Sequence, residues 1–203
     1  MKYIYQKGQD DHPVILLFHG TGGDENDLLS IANEIDEKAS VISFRGDVDE
    51  NGSLRFFKRK PNGQFDYEDL VMRTEKLDLL IKELSVELGF DCNNLVAIGY
   101  SNGANIIGSL LFAKEICLKG AILMHPMVAR TDVKPKNLSG RKILITAGIN
   151  DPICPVGESR AVNDILKAAK AEVNIQWFDD GHRLTLKEVD VAKKWYSEII
   201  LAN

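Results

Sequence analysis

Short apolar runs rich in Val and Ile alternate along the chain with longer segments in which apolar residues recur every three or four positions. Such runs are typical of strands buried on both faces of a parallel sheet, and the longer segments predict helices that cover the sheet. A further edge strand near Tyr3–Tyr5 is expected to pair with the first of these strands. The predicted strands are Val14–Phe18, Val41–Phe44, Leu95–Ile98, Ala121–Met124, Ile143–Ala147 and Val173–Phe178.

The intervening segments carry recognisable helix signals. Apolar residues between Leu28 and Ile35 share one helical face, and Asp24 with Asp27 is expected to cap the start of that helix. A longer helix is predicted to begin near Asp66 and to end at Gly89. Further helices are expected after Asn102, after Pro155 and over Leu184–Ile200. The pattern predicts one domain, residues 1–203, with a doubly wound, mostly parallel sheet of about six or seven strands and helices on both faces.

One long segment, Arg45–Asp66, lacks clear periodicity. Loops of this length inside a domain usually carry function or are disordered. The aromatic residues Phe56, Phe57 and Phe65 argue against disorder, because a freely solvated loop gains nothing from them. A functional loop is therefore expected here.

Charge and composition exclude several classes of function. The chain has 25 basic and 30 acidic residues, a net charge of -5 and no long run of one sign, which is unlike a nucleic-acid-binding or membrane-surface protein. The basic cluster Lys58–Lys60 is interpreted as a solvated loop. With no apolar leader and no stretch approaching a spanning helix, the protein is predicted to be soluble and cytoplasmic.

The cysteines and histidines predict neither disulfides nor a metal site. Cys92, Cys117 and Cys154 are odd in number and lack C-x-x-C spacing, which favours a reducing compartment. The four histidines fall at no spacing typical of zinc. No metal and no cofactor is expected.

The sequence Gly-Tyr-Ser-Asn-Gly directly follows an apolar strand and opens an apolar helix. In this G-x-S-x-G pattern a serine occupies a strained turn between strand and helix, and the flanking glycines prevent clashes. Ser101 is therefore the candidate nucleophile. An incidental serine in a glycine-rich turn is the simpler alternative.

A nucleophilic serine needs a base and an acid that orients the base. His182 lies in a loop near the end of the chain, and Asp151 follows the strand Ile143–Ala147. The order serine, aspartate, histidine is the one expected for α/β-hydrolases. Asp179 and Asp180 are rival acids but lie so close to His182 in sequence that they are expected to shape its loop. His19 and His125 follow strands and can equally be structural, and His12 is expected to be exposed.

An oxyanion hole is predicted from two backbone N–H groups, those of Asn102 and Thr21. Asn102 follows the serine, and Thr21 lies in the glycine-rich loop after the first buried strand. That loop matches neither the dinucleotide fingerprint nor the P-loop, and Asp24 and Glu25 would repel a phosphate. Nucleotide binding is not expected.

Together these motifs resemble the phospholipase/carboxylesterase family of small α/β-hydrolases, which includes acyl-protein thioesterases. HGTGGDEND, RFFKRKPNGQFDYEDL, GYSNGANI, NDPICP and DDGHRLT occur in that family's order. SNGAN and the RFF segment resemble a bacterial branch linked to hydroquinone resistance, whereas the thioesterases usually carry Gln where this chain has Asn102. The resemblance implies a cofactor-free hydrolase acting on small esters, and relatives often form homodimers. About 18 residues separate Met124 from Ile143, too few for a substantial lid.

Several alternatives stay open from sequence. The same machinery serves a carboxylesterase of short acyl esters, an acyl thioesterase, a lysophospholipase or a peptidase, and a non-catalytic binding protein is a further candidate. Phe56, Phe57, Ile106 and Met127 are candidates for pocket walls, with ordinary core packing as the alternative.

Overall fold

The computed structural model describes residues 1–114 and 118–202. Seven strands form one sheet in the order β1-β3-β2-β6-β7-β8-β9, and β4 and β5 form a separate hairpin. All neighbours in the large sheet are parallel except β1 and β3. The predicted fold class is thereby confirmed. The strands are β1 Tyr3–Gln6, β2 Val14–Phe18, β3 Ser40–Phe44, β4 Val48–Glu50, β5 Ser53–Arg55, β6 Leu95–Tyr100, β7 Leu118–Met124, β8 Lys142–Gly148 and β9 Glu172–Phe178.

Helices cover both faces of the sheet. They are α1 Leu29–Ile35, α2 Tyr67–Leu88, α3 Asn102–Ala113, α4 Val156–Ala168 and α5 Leu186–Trp195. One core packs α2, α3 and α4 against the sheet, and the second packs α1 and α5 against the opposite face. Along β2, Leu16 belongs to the first core and Ile15 and Leu17 to the second, so alternate side chains serve opposite faces.

Strand β1 pairs with a different neighbour from the one predicted. It runs antiparallel to β3, with Tyr3 opposite Phe44, instead of pairing with Val14–Phe18. Both edges of β2 are already occupied, because β3 and β6 flank it in parallel. The expected pairing was therefore wrong, and β1 extends the sheet one strand further out.

The predicted caps are right for α2 and wrong for α1. The Asp66 side chain accepts a hydrogen bond from the N–H of Asp69, and Gly89 ends α2 at φ 71°. At α1 the N-cap residue is Leu28, which makes no side-chain cap. Asp24 instead accepts the N–H of Asn26 at 2.8 Å, so its carboxylate stabilises the preceding turn.

The predicted C-terminal helix changes type before its end. Regular α5 ends at Trp195 and continues as a π-helical turn, Tyr196–Leu201. The wider turn places Tyr196 in the core, where its hydroxyl donates to the Asp36 carboxylate at 3.1 Å. Among the described residues, none of the helices combines the length and apolar character that crossing a membrane requires.

The long segment after β3 contains the β4–β5 hairpin. Its strands have only three residues each, too few to show an alternating pattern. Asn51 and Gly52 turn the chain with φ values of 54° and 86°. Residues 125–141, between β7 and β8, contain neither helix nor strand, in agreement with the expected lack of a substantial lid.

We expect Gly103→Ala to destabilise the fold by at least about 2 kcal/mol, because its Cβ would overlap the carbonyl group of Phe18 at the end of β2. Gly108 lies on the same helix with no such neighbour within 4 Å. Gly108→Ala should therefore be neutral or stabilise the fold by up to about 1 kcal/mol. Urea unfolding of the two variants measures the contrast, and equal effects would contradict this account of α3 packing.

Candidate active site

Ser101 lies between the end of β6 and the first residue of α3, in a backbone conformation that only a tight turn requires. Its φ and ψ are 52° and -110°, a region that residues other than glycine rarely occupy. Its N–H donates to the carbonyl of Met124 at 2.8 Å, and its own carbonyl accepts the N–H of Asn105 at 3.0 Å. These bonds hold the turn, which lies at the carboxyl edge of the sheet.

The three residues proposed from sequence order lie in one hydrogen-bonded line. Nε2 of His182 is 2.9 Å from Oγ of Ser101, and Nδ1 of His182 is 2.6 Å from Oδ2 of Asp151. Their separations in the chain are 81 and 31 residues. The fold thus brings together side chains that only the order of motifs connected in the sequence.

The loops after β8 and β9 are joined to each other, which sets the distance between Asp151 and His182. The N–H of Ile149 donates to Phe178 at 2.7 Å, and the Asn150 side chain donates to the carbonyl of Asp179 at 3.2 Å. At Gly148 a Cβ would overlap the carbonyl of Gly181, so glycine permits this close approach.

Tyr100 fixes the other side of the His182 loop. Its hydroxyl donates to the carbonyl of His182, and the two rings are 5.4 Å apart. Burial raises the pKa of Tyr100 to about 12, with further contributions from the charges of Asp151 and Glu188. The phenol therefore stays protonated and available as a donor at neutral pH.

Asp151 accepts four hydrogen bonds in a buried position. Oδ1 accepts the N–H groups of Ile153 and Cys154, each at 2.8 Å, and Oδ2 accepts from His182 and His125. Burial alone would raise its pKa, but these bonds outweigh burial and leave the pKa below the ordinary value of 3.8. The carboxylate therefore stays ionised beside His182.

The two rival acids do not contact the His182 ring. The nearest basic group to the Asp180 carboxylate is Nζ of Lys187, at 3.9 Å, and Asp179 uses its carbonyl to accept from Asn150. Both residues therefore belong to the loop that carries His182 without contacting its ring.

A second histidine lies behind Asp151, and sequence reasoning did not place it there. His125 is fully buried, with Nδ1 2.8 Å from Oδ2 of Asp151 and Nε2 3.1 Å from Oε1 of Glu188. Oε2 of Glu188 lies 3.5 Å from the Thr146 hydroxyl. The sequence feature that could have indicated this placement is the position of His125 directly after β7, at the same edge of the sheet as Ser101.

The charge state of His125 follows from its two carboxylate neighbours. Burial lowers its pKa, but hydrogen bonding and charge from Glu188, and then from Asp151, outweigh burial and raise the pKa above 6.5. A protonated imidazole donates from both ring nitrogens, here from Nδ1 to Asp151 and from Nε2 to Glu188. The raised pKa therefore favours the protonated ring of His125 between its two carboxylate neighbours.

The ligand atoms of His125, Asp151 and His182 lie within 4.8 Å of one another, a spacing compatible with a metal ion. All four ring nitrogens of the two histidines already face hydrogen-bond partners in the protein. A metal would have to replace these bonds, so we interpret the cluster as a proton-linked network.

The two predicted oxyanion donors, Thr21 and Asn102, both line the cavity over Ser101. Both are held by the β4–β5 segment. Nη1 of Arg55 donates to Oγ1 of Thr21 at 2.6 Å, and the N–H of Phe56 donates to Oδ1 of Asn102 at 2.7 Å. The loop expected to carry function thus contacts both candidate donors.

The ring nitrogens of the other two histidines bond residues other than Ser101 in the described structure. His19 is buried, with Nδ1 donating to Gly20 and Nε2 accepting the N–H of Gly46 at 2.9 Å. Burial lowers its pKa, in keeping with a neutral ring. His12 is more buried than expected, because its side chain is 17% exposed and bonds Asp36 at 2.7 Å.

A cavity of about 260 Å³ lies over Ser101. Of the candidate wall residues, Met127 lines it, whereas Phe56, Phe57 and Ile106 belong to the apolar core. A larger cavity of about 570 Å³ lies between β9 and α5, and no predicted site residue lines it. The lining residues at Ser101 are Thr21, Arg55, Arg59, Phe65, Tyr100, Asn102, Asn105, Met127, Ile153 and His182.

The cysteines offer no rival nucleophile among the described residues. Cys154 is buried, its thiol donates to the carbonyl of Pro126, and burial raises its pKa to about 11. Cys92 is a free thiol that precedes β6, at the opposite edge of the sheet from Ser101, and Cys117 lies outside the described residues.

The His125–Glu188 pair predicts a pH-dependent contribution to stability. A raised folded-state pKa stabilises the fold below the ordinary value of 6.5, and this stabilisation is lost as pH rises through the folded-state pKa. His125 is also faced by Asp151, His182 and Tyr100, which the substitution leaves in place. Glu188→Gln should therefore cost more unfolding free energy at about pH 6 than at about pH 9.

Urea unfolding at both pH values measures this difference. The control is Glu34→Gln, which removes an exposed carboxylate 3.7 Å from Lys193 and should show no such pH dependence. A cost for Glu188→Gln that is equal at both pH values, or larger at high pH, would contradict the raised pKa.

Comparisons with known proteins agree with this architecture. A model of the family described as Phospholipase/Carboxylesterase matches residues 1–200. The Bacillus subtilis (strain 168) protein MhqD is 46% identical over 201 residues, which cover 99% of this chain and 100% of MhqD.

Two solved structures are similar to this chain in fold and sequence. A Bacillus cereus carboxylesterase has a TM-score of 0.95 and 52% identity, covering 98% of this chain and 94% of its own. YahD, solved with malic acid, has a TM-score of 0.94 and 31% identity, covering 97% and 98%. The chain therefore belongs to the phospholipase/carboxylesterase family of α/β-hydrolases, in the branch that contains MhqD.

Proposed function

We propose that the protein is a serine carboxylesterase that hydrolyses small acyl esters. Ser101 is the nucleophile, His182 the general base and Asp151 the acid that orients the base. The backbone N–H groups of Thr21 and Asn102 form the oxyanion hole. The observation that supports this proposal most strongly is the continuous hydrogen-bonded line from Ser101 Oγ through the His182 ring to Asp151, with distances of 2.9 and 2.6 Å.

The chemistry follows from the protonation state of that line. Ionised Asp151 accepts from Nδ1 of His182, so Nε2 presents its lone pair to the Ser101 hydroxyl. As Oγ attacks the ester carbonyl, the proton moves to Nε2, and Asp151 stabilises the resulting imidazolium. Backbone N–H donors stabilise the oxyanion. Loss of one such donor typically costs about 3 kcal/mol of transition-state stabilisation.

Collapse of the tetrahedral intermediate breaks the ester C–O bond. His182 returns the proton to the leaving alcohol, and an acyl group remains on Ser101. Water, deprotonated by His182, then attacks the acyl carbon. The bond to Ser101 Oγ breaks, His182 returns the proton to Oγ, and the acid is released. His182 makes each proton transfer in the cycle, and Ser101 carries the covalent intermediate.

The cavity directly over Ser101 is of a size that suits a small ester. The cavity over Ser101 has about 260 Å³, below the roughly 300 to 1,000 Å³ typical of sites for larger ligands. Residues 125–141 add no helix or strand that could form a deep acyl tunnel. The whole chain is proposed to work as one α/β-hydrolase domain, consistent with the family match over residues 1–200.

Ser101→Ala should lower kcat for a short-chain nitrophenyl ester by a factor on the order of 10³ or more, because acyl transfer loses its nucleophile. Circular dichroism should show a retained fold, since the change removes one oxygen atom. Near-normal turnover in this variant would refute the assignment of Ser101.

Asp151→Ala should reduce kcat far more than Asp180→Ala, by about 10³ against less than about tenfold, because Asp151 bonds the ring of His182 and Asp180 does not. Asp180→Ala is a matched control on the loop of the histidine itself. Steady-state kinetics of both variants checks the ranking, and the reverse order would transfer the acid role.

A substrate panel separates the esterase from related activities. Rates on short-chain and long-chain acyl esters, acyl thioesters and amides should be highest for the short-chain esters. Binding of such esters without turnover, together with no modification of Ser101 by a fluorophosphonate, would favour a non-catalytic binding protein instead.

A further inference from the structure

The cavity over Ser101 has an unusual charge for a protein with an excess of acidic residues. The net charge of the chain is -5, yet the acidic residues are absent from the described lining of this cavity. Two arginines, Arg55 and Arg59, line it beside Ser101 and His182. The surface that would meet an ester is therefore positively charged.

Hydrogen bonds hold two of the three guanidinium nitrogens of Arg55 in place. Its side chain is 3% exposed, Nε donates to the carbonyl of Phe57 at 3.2 Å, and Nη1 donates to Thr21 at 2.6 Å. Nη2 makes no hydrogen bond with another residue in the described ranges 1–114 and 118–202. Because two of its nitrogens are already fixed, this buried guanidinium at the cavity wall would lose little rotamer entropy on binding a further acceptor.

Arg59 supplies the second positive charge from a more open position. Its side chain is 42% exposed, and its nearest carboxylate is that of Glu50, 3.9 Å from Nε. The same carboxylate lies 3.5 Å from Nε of Arg55. One carboxylate thus faces two guanidinium groups, which leaves one positive charge uncompensated at this wall.

The two arginines also affect each other. Burial, followed by the charge of Arg59, lowers the pKa of Arg55 to about 10. An anion bound between them would relieve this repulsion. The basic cluster Lys58–Lys60 was interpreted from sequence as a solvated loop. Arg59 instead lines the cavity, whereas Lys58 and Lys60 do not.

We propose that the preferred substrate is an ester that carries a free carboxylate, which Arg55 and Arg59 bind while Ser101 attacks the ester carbonyl. This inference rests on the proposed esterase function and names its substrate class. Guanidinium groups recognise carboxylates through charge-assisted, often bidentate hydrogen bonds. Because Arg55 also bonds Thr21, a bound carboxylate would lie close to the proposed oxyanion hole.

The carboxylate can belong to the acyl part or to the alcohol part of the ester, and two matched pairs of probes distinguish them. Monoethyl succinate against ethyl butanoate tests the acyl side. Acetoxybenzoate against its methyl ester tests the alcohol side. We expect at least one acid ester to have kcat/KM about tenfold above its neutral partner.

Arg59→Gln tests the recognition without removing a buried side chain. The ratio of kcat/KM for the acid ester to that for its neutral partner should fall about tenfold, because one guanidinium is lost at the wall. Lys60→Gln is the matched control. It removes the same charge one residue further along, outside the cavity, and should leave the ratio at its wild-type value.

The outcomes separate this inference from the proposed function. Hydrolysis of neutral esters with no preference for acid esters, or an equal loss in both variants, would overturn the carboxylate assignment and leave the esterase intact. Without any turnover, calorimetry with succinate still tests the inference. Wild-type protein and Lys60→Gln should bind succinate, Arg59→Gln should bind it about tenfold more weakly, and equal binding by all three would overturn it.

Discussion

Strand β6 passes into helix α3 within a single residue, and Ser101 has to adopt positive φ for the chain to do so. This turn is possible because Gly103 allows the first turn of α3 to lie against the carbonyl group of Phe18, where any side chain would overlap it. The strain at Ser101 is offset by the packing of α3, whose residues from Asn102 to Phe112 are buried. Every proposed chemical role depends on this placement, because it directs the serine away from the core and toward the loops after β8 and β9.

Asp151 connects the serine edge of the sheet to a more deeply buried polar group. Its carboxylate accepts from two backbone N–H groups and two histidines, so its position is fixed by the β8 loop, the β9 loop and the end of β7 together. The His125–Glu188 pair behind it extends the line into the core, where Glu188 belongs to α5. A buried polar network destabilises the fold when some of its groups lack hydrogen-bond partners. This explains why the buried carboxylate of Asp151 is surrounded by donors.

Sequence patterns predicted the strands of the sheet from their apolar runs and the bounds of α2 from its capping residues, because both depend on local signals. The order of the proposed site residues followed from short motifs. The partner of β1 was wrong, since pairing depends on which sheet edge is free after β2 is enclosed. The α1 cap was wrong because Asp24 can stabilise either a turn or a helix start. Glu188 and Arg55 were missed as site components, because nothing local shows that α5 and the β4–β5 hairpin reach the edge where Ser101 lies. His125 was missed although its position directly after β7 places it at that edge.

The central claim is that Ser101 is activated by His182, and a fluorophosphonate tests it most directly. Mass spectrometry of the digested protein should find one adduct on Ser101, and the labelling rate should fall at least about a hundredfold in His182→Ala, which removes the base. Labelling at another residue, or a rate on Ser101 that does not change without His182, would contradict the account.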